Sequence, residues 1–120
     1  IILTSDVTHF IGMAPGNYVF MGSDIVLSAD GLIKNPALNC LAGASLSLRT
    51  GVGNVMKFTG CSLGEAVDLA TKNVSTACRI TDRGSLEPGK RADLLLFNMD
   101  DYRMSIKKVI VNGREQALQS

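Results

Sequence analysis

The 120-residue sequence predicts an α/β fold. Residues 1–6, Ile-Ile-Leu-Thr-Ser-Asp, are a short β-branched apolar run that ends in small polar residues, which is typical of a buried parallel strand. Residues 45–80 carry apolar side chains at helical spacing. From residue 92 onward the period changes to the alternation of strands, so β segments flank a helical middle.

A small antiparallel meander is predicted between the first strand and the helices, over residues 18–34. Two short apolar stretches, 18–21 and 24–28, are separated by a Gly-Ser turn. Asp30-Gly31 is typical of a two-residue hairpin turn and leads into residues 32–34. Residues 41–45, Leu-Ala-Gly-Ala-Ser, are predicted to be a small-residue link into the helical middle.

Two helices are predicted, over about residues 45–59 and about 62–80. Ser62 and Glu65 have the spacing of a capping box, in which the serine hydroxyl and the glutamate carboxylate satisfy each other's backbone amides. Asn112-Gly113 predicts a hairpin near the end of the chain. The strands predicted in this last part are residues 92–97, 104–111 and 114–118.

Composition and charge exclude several classes of protein. A net charge of +1 provides no basic surface for nucleic acid and no acidic tail. No apolar stretch is long enough to span a membrane, and no signal peptide is visible. Cys40, Cys61 and Cys78 are odd in number and lack metal-site spacing, so we expect free, mostly buried thiols in a reducing, cytoplasmic compartment.

Asp6 is the candidate catalytic residue, because it ends the first predicted strand. In α/β barrels the chemistry takes place at the carboxyl ends of the strands. The alternative is that Asp6 caps a turn or the following helix, as aspartates after strands often do. A buried strand as the first element, with no partner strand close behind it, also leads us to expect that the sequence is the carboxyl-terminal piece of a longer protein.

Four stretches resemble the metal-dependent amidohydrolases, in the same order and with similar spacing: residues 4–6, 41–44, 62–66 and 84–94. The last, Gly-Ser-Leu-Glu-Pro-Gly-Lys-Arg-Ala-Asp-Leu, is shared by dihydroorotase-like, imidazolonepropionase-like and deaminase branches, so it indicates the superfamily rather than the substrate. Within it, nearly the whole chain resembles the N-acetylglucosamine-6-phosphate deacetylases.

The resemblance implies the carboxyl-terminal part of a (β/α)₈ barrel together with strands of a small β-sandwich. Residues 1–83 would end the catalytic barrel, with residues 1–6 as its last strand and the meander as an insertion. Residues 84–120 would belong to the sandwich. The implied cofactor is a divalent metal ion of the zinc or iron class. Its ligands, a Glu and two His, would lie upstream of Ile1, so no metal ligand is expected in this chain.

The implied reaction is hydrolysis of the acetamido group of N-acetylglucosamine 6-phosphate, giving glucosamine 6-phosphate and acetate. The resemblance makes Asp6 the acid–base group, which takes a proton from the attacking water and delivers one to the departing amine. It also places Leu41 against the substrate near its acetyl group. The alternative is that Leu41 packs at the start of the helix. Ala44 stands where serine is usual in the family, so this position offers no hydroxyl contact, although Ser45 is adjacent.

Four further polar residues have side chains that could serve in a site. His9 could bind substrate phosphate or tune Asp6, but a surface or loop-packing histidine is the alternative that we favour. Asp93 is predicted to stabilise a turn as a hydrogen-bond acceptor rather than to act as a second acid. Lys90 and Arg91 are predicted to be solvated turn residues.

Two other functional interpretations stay open. One is another amidohydrolase branch, acting on a cyclic amide or as a deaminase, which Ala44 and the Ser5-Asp6-Val7 variant allow. The other is a non-catalytic β-sandwich module. For the deacetylase, we expect a small amino-sugar phosphate as the ligand, no nucleic acid or membrane partner, and a homodimer.

Overall fold

The computed structural model describes residues 1–118. These residues form two compact units: a sheet unit, Ser5–Ser47, and a helical unit, composed of residues 1–4 and the described residues from Leu48 onward. In chain order the elements are β1 (Gly16–Phe20), β2 (Ser23–Leu27), β3 (Leu32–Asn35), β4 (Cys40–Ala44), α1 (Leu48–Thr59), α2 (Leu63–Ala70), α3 (Lys72–Ala77), β5 (Leu94–Asp100), β6 (Arg103–Val111) and β7 (Arg114–Gln116).

The sheet unit is a four-stranded antiparallel sheet in the order β1-β2-β3-β4. Alternate side chains of β2 and β3 point to one face, because successive residues of a strand face opposite sides of its sheet. Ile25, Leu27 and Ile33 are buried on that face with Phe10, which comes from the loop before β1. This apolar cluster therefore fastens the loop that follows Asp6 to the sheet.

The helical unit begins with α1 and continues through a capped second helix. The Ser62 amide donates to the Glu65 carboxylate at 2.8 Å, and the Glu65 amide donates to the Ser62 hydroxyl at 3.3 Å, which confirms the predicted capping box. The helix predicted over residues 62–80 is found as two helices, α2 and α3. It is interrupted at Thr71, whose hydroxyl bonds to the Val67 carbonyl at 2.8 Å, a contact that bends helices.

The carboxyl-terminal part is an antiparallel sheet in the order β5-β6-β7. Its three strands lie where the alternation predicted them, and Asn112-Gly113 forms the expected turn between β6 and β7. The turn between β5 and β6 packs against α1 at Gly53, where an added Cβ would lie only 1.9 Å from the Tyr102 carbonyl oxygen. The described chain is thus of mixed helix and sheet, and both sheets are antiparallel.

Residues 1–6 form no strand among the described residues. The first four lie in the helical unit, where the Leu3 amide donates to the Leu69 carbonyl at 2.9 Å and Asn73 donates to the Ile1 carbonyl at 2.9 Å. A strand requires a neighbour that offers a ladder of backbone hydrogen bonds. Residues 1–6 have the amino-acid composition of a strand, but no described residue offers them a ladder of backbone hydrogen bonds.

Three details of the sequence interpretation were wrong. The link over residues 41–45 contains a strand, β4, because its backbone pairs with β3 despite its small side chains. The turn predicted at Asp30-Gly31 is displaced by one residue: its central residues are Ala29 and Asp30, because the Gly31 amide donates to the Ser28 carbonyl at 3.0 Å. The cysteines are free, but Cys40 and Cys78 are exposed rather than buried.

The two compact units divide the chain at other places than the predicted boundary at residue 84. The predicted boundary refers to the barrel and the β-sandwich of the full-length protein, and it stays a prediction. Over residues 1–118, each helix is too short or too polar to cross a lipid bilayer.

Candidate functional site

Asp6 lies at the start of the sheet unit in a left-handed backbone conformation, with φ of 47°. Its carbonyl accepts a hydrogen bond from the Ala44 amide at 2.9 Å, and the Thr8 amide donates to the Ala44 carbonyl at 2.8 Å. Val7 and Ala44 form a parallel bridge between these bonds. The backbone around Asp6 is therefore attached to the end of β4, while the side chain is exposed.

The Asp6 carboxylate takes part in no ion pair among residues 1–118. Aspartate is among the few residues that adopt the left-handed conformation readily, because its short polar side chain can interact with the local backbone. Asp6 thus combines an unpaired, accessible carboxylate with a fixed backbone. The carboxylate is therefore accessible to a ligand, and its catalytic role stays a prediction.

Gly43 faces Asp6 from β4. It has φ of 92°, and an added Cβ would lie 2.6 Å from Thr8 Cγ2, 3.2 Å from the Asp6 carbonyl oxygen and 3.7 Å from Asp6 Oδ2. Two non-bonded carbon atoms cannot lie 2.6 Å apart, so one of the partners would have to be displaced. The glycine therefore allows the segment that carries Asp6 to approach the strand.

Thr8 completes the attachment. Its hydroxyl donates to the Ala44 carbonyl at 3.3 Å and accepts from the Phe10 amide at 3.3 Å. Phe10 is only 2% exposed, so this chain of contacts leads from the Asp6 segment to the core of the sheet unit. Neither Thr8 nor Gly43 was identified from the sequence as a site residue. The one available signal was the position of Gly43 in a stretch of small residues, which can indicate that another backbone segment approaches closely.

His9 is exposed and contacts aromatic rings. Its ring centroid lies 4.1 Å from that of Phe10 and 4.7 Å from that of Phe20. Both partners belong to the apolar cluster of the sheet unit or pack against it. The position agrees with the loop-packing alternative, and a role for His9 in phosphate binding stays a prediction.

Leu41 lies in β4, opposite Lys34 of β3, and is 62% exposed. An exposed leucine at this position is available to a ligand. The neighbouring hydroxyl is occupied, because the Ser45 hydroxyl donates to the Gly31 carbonyl at 3.0 Å. Ser45 thus supports the turn before β3, and the substrate contact of Leu41 stays a prediction.

The Gly-Ser-Leu-Glu-Pro-Gly-Lys-Arg-Ala-Asp-Leu stretch is held together by polar contacts. Asp93 accepts from the Asn112 amide at 2.8 Å and from Arg91 Nε at 2.7 Å, as predicted for a turn-stabilising acceptor. Lys90 and Arg91 are not the solvated residues that the sequence suggested. Lys90 donates to the Ser85 hydroxyl at 2.5 Å, and the two side chains are 26% and 32% exposed.

These contacts explain the shifted acidities of the region. The Arg91 side chain, and after it the Asn112 amide, hold the pKa of Asp93 below its usual value. The Arg83 guanidinium does the same for the pKa of Asp82, which it contacts at 2.8 Å. These carboxylates are committed to ion pairs, so they are poor candidates for proton transfer.

The described residues do not form a metal site by themselves. Over residues 1–118, no three His, Cys, Asp or Glu side chains are grouped closely enough to hold an ion. A cleft of about 450 Å³ in the helical unit is lined by Arg49, Thr50 and residues 102–106. A smaller cleft is lined by residues of the 85–94 region, and Asp6, His9 and Leu41 contribute to neither.

Comparison with known proteins identifies the family. The model of the Amidohydrolase family matches residues 2–115. An N-acetylgalactosamine-6-phosphate deacetylase of Escherichia coli O157:H7 is 28% identical over 115 residues, which are 95% of this chain and 29% of that protein. An N-acetylglucosamine-6-phosphate deacetylase of Lysinibacillus sphaericus is 28% identical over 114 residues, which are 95% of this chain and 28% of that protein.

The fold agrees with this match. The crystal structure of N-acetylglucosamine-6-phosphate deacetylase from Thermotoga maritima superposes with a TM-score of 0.83 and 29% identity, covering 96% of this chain and 30% of that one. The chain therefore spans under a third of the length of these two relatives and of this structure. Together, the four motifs, the family match over residues 2–115 and the shared fold show that the chain belongs to the amidohydrolase family.

Proposed function

We propose that this chain forms part of a hydrolase that removes the acetyl group from N-acetylglucosamine 6-phosphate, giving glucosamine 6-phosphate and acetate. The substrate is inferred from the deacetylases that the chain resembles over nearly its whole length. The observation that carries the proposal is Asp6, an exposed, unpaired carboxylate on a backbone attached to β4.

In this proposal Asp6 moves the protons of the reaction. It accepts the proton of the attacking water, and it then delivers a proton to the nitrogen of the scissile amide. Protonation makes the amine the better leaving group, so the tetrahedral intermediate collapses to acetate instead of expelling hydroxide. Positioned acid–base groups of this kind contribute about 10²–10⁴ in rate.

Deacetylases of this family are generally metal-dependent, and a bound divalent ion, which we propose to be zinc or iron, would acidify the water and polarise the acetyl carbonyl. We propose that its ligands, a Glu and two His, lie upstream of Ile1, as the resemblance to the deacetylases implies. We assign Asp6 to proton transfer alone.

The architecture proposed for the whole enzyme follows the family. Residues 1–6 would pair with a neighbouring strand as the last strand of a (β/α)₈ barrel, which places Asp6 at its carboxyl end, where barrel enzymes carry their catalytic groups. The helices would follow on the barrel wall, and the β5-β6-β7 sheet would belong to the β-sandwich. Leu41, which is 62% exposed in this chain, would line the acetyl subsite.

The test is Asp6→Asn in the full-length enzyme. Asparagine preserves the shape and tolerates a left-handed backbone, so the change removes the acid–base function without new strain. Turnover should fall at least about a hundredfold, with metal content unchanged. Asp24→Asn, which removes an exposed carboxylate of the same unit, is the matched control and should be near wild type. Near-normal turnover of Asp6→Asn would reject the assignment.

A second candidate substrate is N-acetylgalactosamine 6-phosphate, because the Escherichia coli relative named above is a deacetylase of that sugar. Acetate release from the two epimers, measured side by side, separates these possibilities. Ring opening of dihydroorotate or hydantoin by the same preparation tests the cyclic-amide alternative. The sandwich-module interpretation is the least favoured, because the family match extends far beyond the last sheet, over residues 2–115.

We also propose that the full-length protein is cytoplasmic and acts as a homodimer. Gel filtration with light scattering measures the second property directly, and a monomer at working concentration would contradict it.

A further inference from the structure

We propose that Gly43 is a positioning residue for Asp6, and that Thr8 is its partner in this role. The inference rests on the proposed catalytic function of Asp6. It adds that the glycine of the Leu41-Ala42-Gly43-Ala44 motif is required because only hydrogen at this position lets the Asp6 segment lie against β4.

The geometry around Gly43 has three parts. First, its φ of 92° is a conformation that residues with a Cβ rarely adopt. Second, the space where a Cβ would lie is occupied by the Thr8 methyl group, at 2.6 Å. Third, the Asp6 carbonyl oxygen lies 3.2 Å and Asp6 Oδ2 lies 3.7 Å from the same point, so any displacement acts directly on the catalytic candidate.

The backbone bonds on both sides transmit such a displacement. The Ala44 amide, adjacent to Gly43, donates to the Asp6 carbonyl at 2.9 Å, and the Ala44 carbonyl accepts from the Thr8 amide at 2.8 Å. A methyl group on residue 43 would push the Thr8 side chain away and stretch the bonds that hold residues 6–8 to the strand. Proton transfer is sensitive to such changes, because a misplacement of about 1 Å can cost about a hundredfold in rate.

Gly43→Ala in the full-length enzyme should therefore lower kcat by about ten- to a hundredfold, with a smaller change in KM. One variant of the same unit controls for the strain of positive φ. Gly22→Ala adds positive φ (79°) in open space. It should lower thermal stability and leave kcat per folded molecule near wild type.

A double-mutant cycle with Asp6→Asn separates positioning from damage. If Gly43 acts through the Asp6 carboxylate, Gly43→Ala should cost almost nothing in the Asp6→Asn background, because residues that act as a unit are non-additive. If Gly43→Ala lowers kcat by the same factor in both backgrounds, the inference is overturned. Near-normal turnover of Asp6→Asn would instead overturn the proposed function, so the two failures are distinguishable.

A second-site variant keeps the test informative if Gly43→Ala folds poorly. Thr8→Ser removes the methyl group at 2.6 Å but keeps the hydroxyl that bonds to the Ala44 carbonyl and the Phe10 amide. In Thr8→Ser/Gly43→Ala, part of the lost kcat should return, although the strain of positive φ remains. A double variant with kcat no higher than that of Gly43→Ala, or with a further loss, would contradict the role assigned to Thr8.

Discussion

Two glycine-containing motifs of this chain use the same backbone property for different purposes. Gly43 and Gly84 both have positive φ, of 92° and 95°, and at both an added Cβ would collide with a hydroxyl-bearing side chain. Beside Gly43 lies Asp6, exposed and without an ion pair in the described part of the chain. Beside Gly84 lies Ser75, which is 8% exposed and belongs to a short helix.

The carboxylates near the two motifs differ in the same way. In the region after Gly84, Asp82 is paired with Arg83, and Asp93 with Arg91 and the Asn112 amide. Both carboxylates are engaged in contacts that stabilise loops, which agrees with a structural role for this stretch. The Asp6 carboxylate has no such commitment. We therefore expect the longest motif to serve as scaffold, and the Leu41–Ala44 motif to support the chemistry that we propose.

The largest effect on stability is expected for Gly84→Ala, which tests whether the 84–94 motif has a structural role. Its Cβ would lie 2.1 Å from the Ser75 hydroxyl oxygen and 3.3 Å from the Thr71 carbonyl, so α3 or the loop must move. We expect a loss of at least about 2 kcal/mol in the free energy of unfolding, with kcat per folded molecule retained. Urea unfolding and active-site titration of the full-length enzyme measure the two quantities.

Gly89→Ala is the matched control, because Gly89 has φ of 87° but nothing within 4 Å of an added Cβ. It isolates the strain of positive φ from the collision. If Gly84→Ala is no less stable than Gly89→Ala, or if it loses kcat as Gly43→Ala is expected to, the division into scaffold and catalytic motifs is wrong.

The elements that the sequence predicted well depend on local patterns. The β1–β3 meander, the Ser62 capping box and the hairpin at Asn112-Gly113 follow from period and turn chemistry within a few residues of each other. The strand β4 was missed because Cys-Leu-Ala-Gly-Ala has no β-branched residue, and only its pairing with β3 makes it a strand.

The site was predictable only in part, for a similar reason. Asp6 stands out by its place after an apolar run and by resemblance. The contact between Gly43 and Thr8 joins residues 35 positions apart in the sequence, and no spacing rule reveals it. Lys90 and Arg91 were misjudged as solvated because their partners, Ser85 and Asp93, are set by the fold of the loop rather than by helical or strand spacing.

A smaller effect is expected at the helix that follows α1. Ser62→Ala removes the hydroxyl that accepts from the Glu65 amide at 3.3 Å and should cost about 1 kcal/mol of stability, without changing kcat. Ser62→Thr keeps an accepting hydroxyl and should lose less. Thermal unfolding of both variants makes the comparison. A Ser62→Ala enzyme with altered KM would contradict this expectation, because it would mean that the start of α2 affects substrate binding.

The smallest expected effect is the contribution of Asp93 to the pH dependence of stability. It tests directly whether the charge of an ion-paired carboxylate stabilises the fold. Because Arg91 and the Asn112 amide lower its folded-state pKa, the ionised carboxylate stabilises the fold above its unfolded pKa, near 3.9, and the stabilisation is lost as pH falls through the folded value. Asp93→Asn should therefore be less stable than wild type at neutral pH, and this difference in the free energy of unfolding should disappear below about pH 4.

The control is Asp24→Asn, which makes an equal change of charge at an exposed acid without an ion pair in residues 1–118. It should be as stable as wild type at both pH values, so it should show no such gap. Salt should narrow the gap at neutral pH, since the ion pair is partly exposed. A gap that is constant from pH 7 to pH 3 would mean that Asp93 acts through its shape alone, and the contrast with Asp6 would then no longer rest on charge.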